Sequence, residues 1–528
     1  MAFDELLQYV GSDGKFQVLT IIFFMLLNIL TQPHDSIENF TAAIPAHHCH
    51  VPLLDKPTFK ANITINLTTE ALLRVSIPEG PNQKPEQCRR FLQTQWQLLD
   101  SNVSAINHTD PETEPCLDGL IYDQSVFTST IITKWDLVCD YQSFKYFTQA
   151  FAQLGHLVGC ALSGIVSDRF GRKPLLVFCC LTYGILSTCC AFAPVFIIYG
   201  ILRFLTSACL SGILNNSLVF ILEGSSPKWK LVVTTLFSLS GTAGQMLLAG
   251  LAYFFRDWQM LQLVIALPCL ILSLFVWYVN FESVRWLMAT GKTEQALKEL
   301  QRIARINGKK EVAKSLTAEV LISNMKEELS TTREPSGIKD VVFNPVVFKT
   351  VCSAIFSYYG LLLDVDNLGK NIFLTQFLLG ITDMPSKLLS YFILKNINRR
   401  PSSSFSLFMC GGFILLTIFV SKEMHVLRLI LFLLGKSSVS VFMSIMLIFT
   451  HELSPTVLRS TMQGILFFLA RAAATFSALV LSTRIYFVHL PTILYAAIPM
   501  AVSVFVYFLP ESFNLPLIDT IEDMEKRT

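Results

Sequence analysis

Long apolar runs alternate with short polar ones along most of the chain. The first six cover Phe16–Ile37, Tyr146–Val166, Leu175–Phe192, Phe196–Leu222, Leu231–Phe255 and Leu261–Asn280. A second six cover Val346–Leu363, Ile372–Leu394, Phe405–Val420, Leu427–Thr450, Met462–Leu481 and Pro491–Leu509. Most approach the roughly 20 residues a helix needs to cross a hydrocarbon core about 30 Å thick. The pattern predicts an all-α membrane protein with twelve transmembrane helices. Two polar stretches, about 38–145 and 281–343, absorb much of the remainder.

Composition agrees. Hydrophobic residues make up 52% of the 528 and charged residues 15%, fewer charges than a soluble domain carries; mean hydropathy is +0.51. A net charge of +2 offers no basic surplus for nucleic acid.

Lys and Arg in the short loops set the orientation. Asp168-Arg169-Phe170-Gly171-Arg172-Lys173, Lys228 with Lys230, Lys395 with Arg399-Arg400, Arg459, the stretch 281–343 and Lys526-Arg527 all fall on one side. That side is expected to be cytoplasmic, with both termini, and 38–145 lies outside. Four sequons in the outer stretch, at Asn62, Asn66, Asn102 and Asn107, fit this placement. Acidic flanks and the lack of an A-x-A site argue against reading the first run as a cleaved signal peptide. Of 13 cysteines, Cys49, Cys88, Cys116 and Cys139 lie in or beside the outer stretch, where disulfides form; three pairings are open. His47-His48-Cys49-His50 resembles a metal cluster, but four consecutive residues do not all turn toward one ion, and no metal is expected.

The halves repeat. Gly171-Arg172-Lys173-Pro174 returns as Asn398-Arg399-Arg400-Pro401, 227 positions on; Glu223 returns as Glu452 and Glu282-Ser283 as Glu511-Ser512, each 229 positions on. Each match sits at the corresponding end of the corresponding run. The expected organisation is a six-helix bundle over 1–280, a cytoplasmic linker over 281–343 and a second bundle over 344–528. Parallel repeats of this kind build secondary carriers with a midplane site between the halves. In the linker, Glu294–Ile306 spaces its apolar residues as an amphipathic helix on the membrane surface; membrane lipid and plain solvent compete for its basic residues.

A charge inside a span costs about 3 kcal/mol on insertion scales and requires a reason. Arg203, Lys387, Lys436 and Arg471 lie inside apolar runs. Against them stand Asp383, one turn before Lys387 and able to neutralise it, and Glu223 and Glu452 at cytoplasmic ends. Cations therefore outnumber carboxylates, which favours an anionic guest. Arg471, among alanines and with no acid within two turns, leads the candidates; Arg203 reads better as a structural tie. Tyr358-Tyr359-Gly360 offers rings to a bulky ligand. Gly435-Lys436-Ser437 mimics the end of a nucleotide-binding loop, but Ile430 stands where its first glycine belongs. No nucleophile–base pair or ligand set marks an enzyme, and no cofactor is expected.

Met1-Ala2-Phe3-Asp4-Glu5-Leu6-Leu7, Asn39-Phe40-Thr41-Ala42-Ala43-Ile44-Pro45, Trp135-Asp136-Leu137-Val138-Cys139, Ser167-Asp168-Arg169-Phe170-Gly171-Arg172 and Leu509-Pro510-Glu511-Ser512 together resemble the organic anion transporters of solute carrier family 22, in the major facilitator superfamily. The resemblance runs end to end. It implies two pseudo-symmetric six-helix bundles and a monomeric, glycosylated plasma-membrane carrier. Amphiphilic organic anions such as conjugated steroids, prostaglandins, urate or dicarboxylates would be moved by alternating access, by sodium-independent exchange against a dicarboxylate counter-anion or, for conjugated steroids, by uniport. Arg471 falls where the anion branch has arginine and the cation branch aspartate. Lys387, Tyr358, Tyr359, Lys436 and Asn39 fall on substrate-site positions. Asp168, Arg169, Gly171, Arg172, Glu223, Arg399, Arg400 and Glu452 fall on the gating motifs, and the Asn39 sequon lies too close to the membrane for glycosylation.

Three departures stand out. The fifth run has Leu239 and Gly241 where relatives offer tyrosines, Asn398 replaces a motif glycine, and the seventh run is about two turns (~7 residues) short. The last feature supports a competing expectation, a transport-impaired relative serving as scaffold or ligand sensor. A carrier of organic cations or zwitterions is a third.

Overall fold

The computed structural model describes residues 10–11, 14–51, 69–80, 85–99, 112–279, 281–317, 356–360, 362, 371–421, 424–453, 459–507 and 511. Among them, nine helices are long and apolar enough to cross a membrane, and Trp258–Leu274 and Leu490–Val506 are shorter apolar helices. These fall on every expected run except the seventh, of which 356–360 and 362 are described, as helix. The shortened start of that run lies outside the described residues. In the first span a helix over Lys15–Thr31 gives way at Pro33, and a short turn over Pro33–Ser36 follows. A proline cannot donate to the preceding turn, and here the break sets His34 and Asp35 in the buried interior.

Two compact units result. One holds Met1–Asn39, Tyr146–Phe255 and Gln259–Thr528, the other Phe40–Lys145 with Arg256–Trp258. In the second, His47–Cys49 pairs antiparallel with Leu120–Tyr122, and Arg89–Phe91 with Thr113–Pro115. Disulfides join Cys49 to Cys116 and Cys88 to Cys139, which selects one of the three open pairings. Closing loops of 67 and 51 residues restrains the unfolded chain by about 4 kcal/mol each. His47 lies beside Cys88 and Cys139, whose sulfurs are spent on each other. Burial holds the His47 imidazole below its ordinary range. Asn62, Asn66, Asn102 and Asn107 lie outside the described residues.

In the membrane unit the repeat becomes physical. Glu282, after the sixth span, accepts hydrogen bonds from the backbone N–H of Arg172 (2.9 Å) and Lys173 (3.3 Å). Glu511, after the twelfth, accepts from those of Arg399 (2.9 Å) and Arg400 (3.2 Å). Each carboxylate thus satisfies orphan donors at a helix N-terminus, where negative charge is also favoured. The inner packing repeats too. A methyl added at Gly184 in the third span would strike Leu270, and one at Gly411 in the ninth would strike Met500.

Arg172 is the hub of the first motif. Its guanidinium reaches Asp168 (2.7 Å) and Glu223 (3.1 Å), while the Trp286 indole donates to the Asp168 carbonyl at 2.8 Å. Arg169 is exposed and stacks on Phe170. In the second motif Arg400 lies over the Tyr507 ring at 4.6 Å. Glu452 is on the tenth helix, His425–Leu453, with its side chain outside the described residues. The replacement of glycine by Asn398 has a simple reason. Gly171 takes φ 107° and ψ 165°, whereas Asn398 makes its turn at φ −59°.

The linker helix is amphipathic, but protein covers its apolar face. Thr293–Ile306 buries Ala296, Leu300, Ile303 and Ala304 in a cluster with Trp286, Leu287, Val10 and Phe16. That face therefore packs on protein and is not left open to lipid. Asn307, just past its end, accepts from the Phe16 N–H (2.9 Å) and donates to the Gly11 carbonyl (3.0 Å).

The backbone contrast is directly testable. Gly171→Ala forces a side chain into a glycine-only region, costing about 1–3 kcal/mol, and against Glu282 and Trp286. The unfolding midpoint of purified protein, followed by tryptophan fluorescence, falls for Gly171→Ala and stays close to wild type for Asn398→Ala.

Candidate functional site

An ionised group in this apolar bundle is stable only when paired or hydrogen-bonded, and the four intramembrane cations meet that demand differently. Arg203, in the fourth span, donates to Glu38 (2.9 Å) and to the His34 carbonyl (2.6 Å). It is a fully buried tie between the fourth and first spans. Lys436, in the tenth, is also fully buried, donating to Asp383 (2.8 Å) and the Leu379 carbonyl (2.9 Å). Asp383 therefore pairs with Lys436, not with Lys387 one turn away on its own helix. Lys387 instead reaches across to the fifth span, donating to the Ser238 carbonyl at 2.9 Å and the Thr242 hydroxyl at 2.5 Å. Among the described residues it has no carboxylate within ion-pair distance.

Arg471, in the eleventh span, donates to the Tyr359 hydroxyl at 2.6 Å. Its nearest carboxylate is Asp35, at 4.0 Å, and the same Asp35 oxygen lies 3.1 Å from Nε2 of His156 in the second span. The expected charge surplus is thus smaller than the spans indicate. Asp35 and Glu38 are buried as well, so among the described residues the four intramembrane cations face three carboxylates, with Asp383 the third. The signal for both was present: two acids just after Pro33, at the outer end of an otherwise apolar run.

Lys387 and Arg471 meet in one cavity of about 380 Å³. Tyr358 and Tyr359 line it, their rings 5.5 Å apart and nearly perpendicular. Six hydroxyls, from Thr234, Thr235, Ser238, Ser390, Ser440 and Ser444, alternate with Leu231, Leu394, Met443 and Phe467. These hydroxyls escaped the sequence reading, although their spacing on the fifth and tenth runs is helical. Leu239 and Gly241 do not line the wall; Gly241 faces Asn28 and Gln32 of the first span. Of the remaining candidates, Lys436 sits behind the cavity with its ammonium 5.8 Å from the Tyr358 ring. Asn39 is buried, donating to the Leu362 carbonyl (3.1 Å) and Gln376 (3.2 Å).

The family model of the Major Facilitator Superfamily matches residues 145–478. Solute carrier family 22 member 22 of Mus musculus is 55% identical over all of this chain and 96% of its own. Solute carrier family 22 member 11 of Homo sapiens is 42% identical, over 100% and 96%. A steroid transmembrane transporter of Oryctolagus cuniculus is 41% identical, over 100% and 97%. Among solved structures, the partially occluded inward-open xylose transporter XylE of E. coli is similar, with a TM-score of 0.61 and 16% identity over 94% of this chain and 99% of that one. At that identity the likeness concerns the fold alone.

The unequal pairing separates structural from cavity cations in a stability measurement. Asp383→Asn strands the buried Lys436 and costs about 3–5 kcal/mol, whereas removing both charges in Asp383→Leu/Lys436→Met recovers most of that loss. Lys387→Met removes a charge that forms no ion pair among the described residues, and its midpoint stays near wild type. Thermal unfolding in detergent reads all three; equal losses for Lys387→Met and Asp383→Asn would contradict the distinction.

Proposed function

Because the chain belongs to the Major Facilitator Superfamily and, within it, to solute carrier family 22, we propose that this multi-pass membrane transporter carries amphiphilic organic anions. One observation carries the reading: two cations, Lys387 and Arg471, face a single cavity, and the first has no carboxylate within ion-pair distance among the described residues. A negative guest supplies the missing partner, with charge-assisted hydrogen bonds roughly twice as strong as neutral ones. Tyr358, Tyr359 and Phe467 offer faces to an apolar body, and the hydroxyls serve polar substituents. The volume lies at the lower end of the range for drug-sized ligands, about 300–1,000 Å³. A relative named as a steroid transporter makes a sulfated steroid a sensible first probe, with a dicarboxylate as the counter-anion for exchange.

The arrangement also supports alternating access. The cavity draws on Leu231–Ser238 of the fifth span, Lys387–Leu394 of the eighth and Ser440–Ser444 of the tenth, the halves of those helices nearest the basic loops. At the opposite end the halves touch. Asn39 meets Leu362 and Gln376, Tyr253 packs edge-on against Phe373 at 5.8 Å, and Tyr146 clusters with Phe356 and Tyr495. With basic loops inside, this is a cytoplasm-facing state. Asp168, Arg172 and Glu223 would brace the first half as it tilts, and the Glu511 caps on Arg399 and Arg400 the second. The domain scheme of two bundles joined by 281–343 follows the same reading, with plasma-membrane placement inferred from the family.

In cells expressing the full chain, uptake of radiolabelled estrone sulfate falls at least tenfold for Arg471→Ala and for Lys387→Ala at equal surface expression, about 1.4 kcal/mol or more. Unchanged uptake in both variants would refute the charge argument. Surface-expressed wild type that moves neither this probe nor a panel of labelled anions, with or without preloaded dicarboxylate, would instead favour the scaffold or sensor.

A further inference from the structure

Beside the cavity sits a carboxylate that anion binding alone does not require. Asp35 is buried, with one oxygen shared between Nε2 of His156 (3.1 Å) and Nη1 of Arg471 (4.0 Å). The other ring nitrogen of His156, Nδ1, is buried and has no hydrogen-bond partner among the described residues. The remaining titratable neighbours are engaged or distinct. Glu38 is held by Arg203 at 2.9 Å, His34 sits between Arg203 (3.0 Å) and Ser187 (2.8 Å), and the Tyr359 hydroxyl accepts from Arg471. Cys160 lies one turn beyond His156 on the second span. Asp35 also accepts from Gln32 at 3.4 Å and lies beside the Tyr359 hydroxyl and the charge of Arg203. Its ion-pair partners within 4.0 Å among the described residues are His156 and Arg471, the second a proposed ligand of the guest.

We propose that Asp35 and His156 form a proton-binding site coupled to anion binding at Arg471, so that the carrier moves a proton together with each monovalent organic anion. The step balances in charge and atoms. An anionic group that takes over Arg471 draws the guanidinium away from Asp35, leaving a buried carboxylate beside a neutral imidazole, a costly state. A proton arriving at the open Nδ1 makes His156 a cation, and the Asp35–His156 pair is again neutral as a whole. Release of the guest returns Arg471 to Asp35 and expels the proton on the other side. Anion and proton cross in the same direction, which is equivalent in balance to exchange of the anion for hydroxide. The inference rests on the anion-carrier reading and adds its driving ion.

The test uses purified full-length protein in liposomes loaded with the pH dye pyranine at pH 7.5, with radiolabelled estrone sulfate outside. Its sulfate stays ionised across the range used, so external pH acts on the protein and not on the probe. Lowering external pH to 5.5 should speed wild-type uptake at least fivefold, and at equal pH on both sides adding the probe should acidify the lumen. Asp35→Asn and His156→Gln, prepared separately so that either can serve if the other misfolds, should take up the probe without gradient stimulation and without acidification. Asp35→Glu should restore both. Wild-type uptake with neither effect, or acidification retained in both variants, overturns the proton site and leaves the anion carrier standing. No wild-type uptake at any pH, with or without preloaded dicarboxylate, overturns the carrier reading and this inference with it.

Discussion

The structure is organised by the cost of placing charge in a medium that cannot solvate it. A protein this apolar has few ways to keep an arginine or lysine in the middle of a helix. Here three different ones appear. Arg203 and Lys436 are closed off in short ion pairs of 2.9 and 2.8 Å with Glu38 and Asp383, and each pair locks two helices together. Lys387 is satisfied by neutral oxygens of Ser238 and Thr242. Arg471 leans on a tyrosine and shares a carboxylate at 4.0 Å. The two with the weakest opposition are the two that face the cavity. The helix-locking and the cavity-facing cations are thus distinguished by how completely their charge is cancelled, not by depth.

Much of the architecture was legible because it is written in local pattern. The apolar runs give the helices, and the recurrence of Gly171-Arg172 as Asn398-Arg399 and of Glu282 as Glu511 gives the two halves. The structure adds the reason those glutamates recur, since each caps the helix that begins with the repeated arginine. Tertiary partners were not legible. Asp383 and Lys387 are a plausible pair on one helix face, yet the partner of Asp383 lies 53 positions away. Nothing local marks that choice. Asp35 and Glu38 stand at the outer end of a span, where sequence position alone does not mark an acid as buried. Pro33, which breaks the helix and turns them inward, was the missed clue.

Some departures from the family pattern turn out to carry little strain. Asn398 stands where glycine would be expected, and its turn avoids the positive φ that Gly171 requires. Leu239 and Gly241 replace aromatic positions in the fifth span, but the cavity wall is drawn from Leu231, Thr234, Thr235 and Ser238 instead. On the fifth helix that wall presents three hydroxyls, those of Thr234, Thr235 and Ser238. That shift bears on which guests fit, while the two cations that would select their charge remain in place.

The two cavity cations also explain how binding could be felt by the whole carrier. Lys387 belongs to the eighth span, in the second half, but its hydrogen bonds go to Ser238 and Thr242 in the first. Arg471 belongs to the eleventh span, and its carboxylate neighbour Asp35 lies in the first. Lys387 thus gives its hydrogen bonds to the opposite bundle, and Arg471, bonded to Tyr359 of its own half, faces its nearest carboxylate across the interface. An anion that engages either must compete with a tie between the halves. Two unit charges 4 Å apart interact by at most about 4 kcal/mol at an effective dielectric of 20, a contact that a well-placed guest can replace. Ion pairs as short and dry as Arg203–Glu38 are not open to such exchange. A carrier that must release one set of contacts to form another requires loose ties at its moving interface and tight ones within each half. Both tight pairs, Arg203–Glu38 and Lys436–Asp383, lie within single bundles, and the loose contacts of Arg471 and Lys387 lie between them.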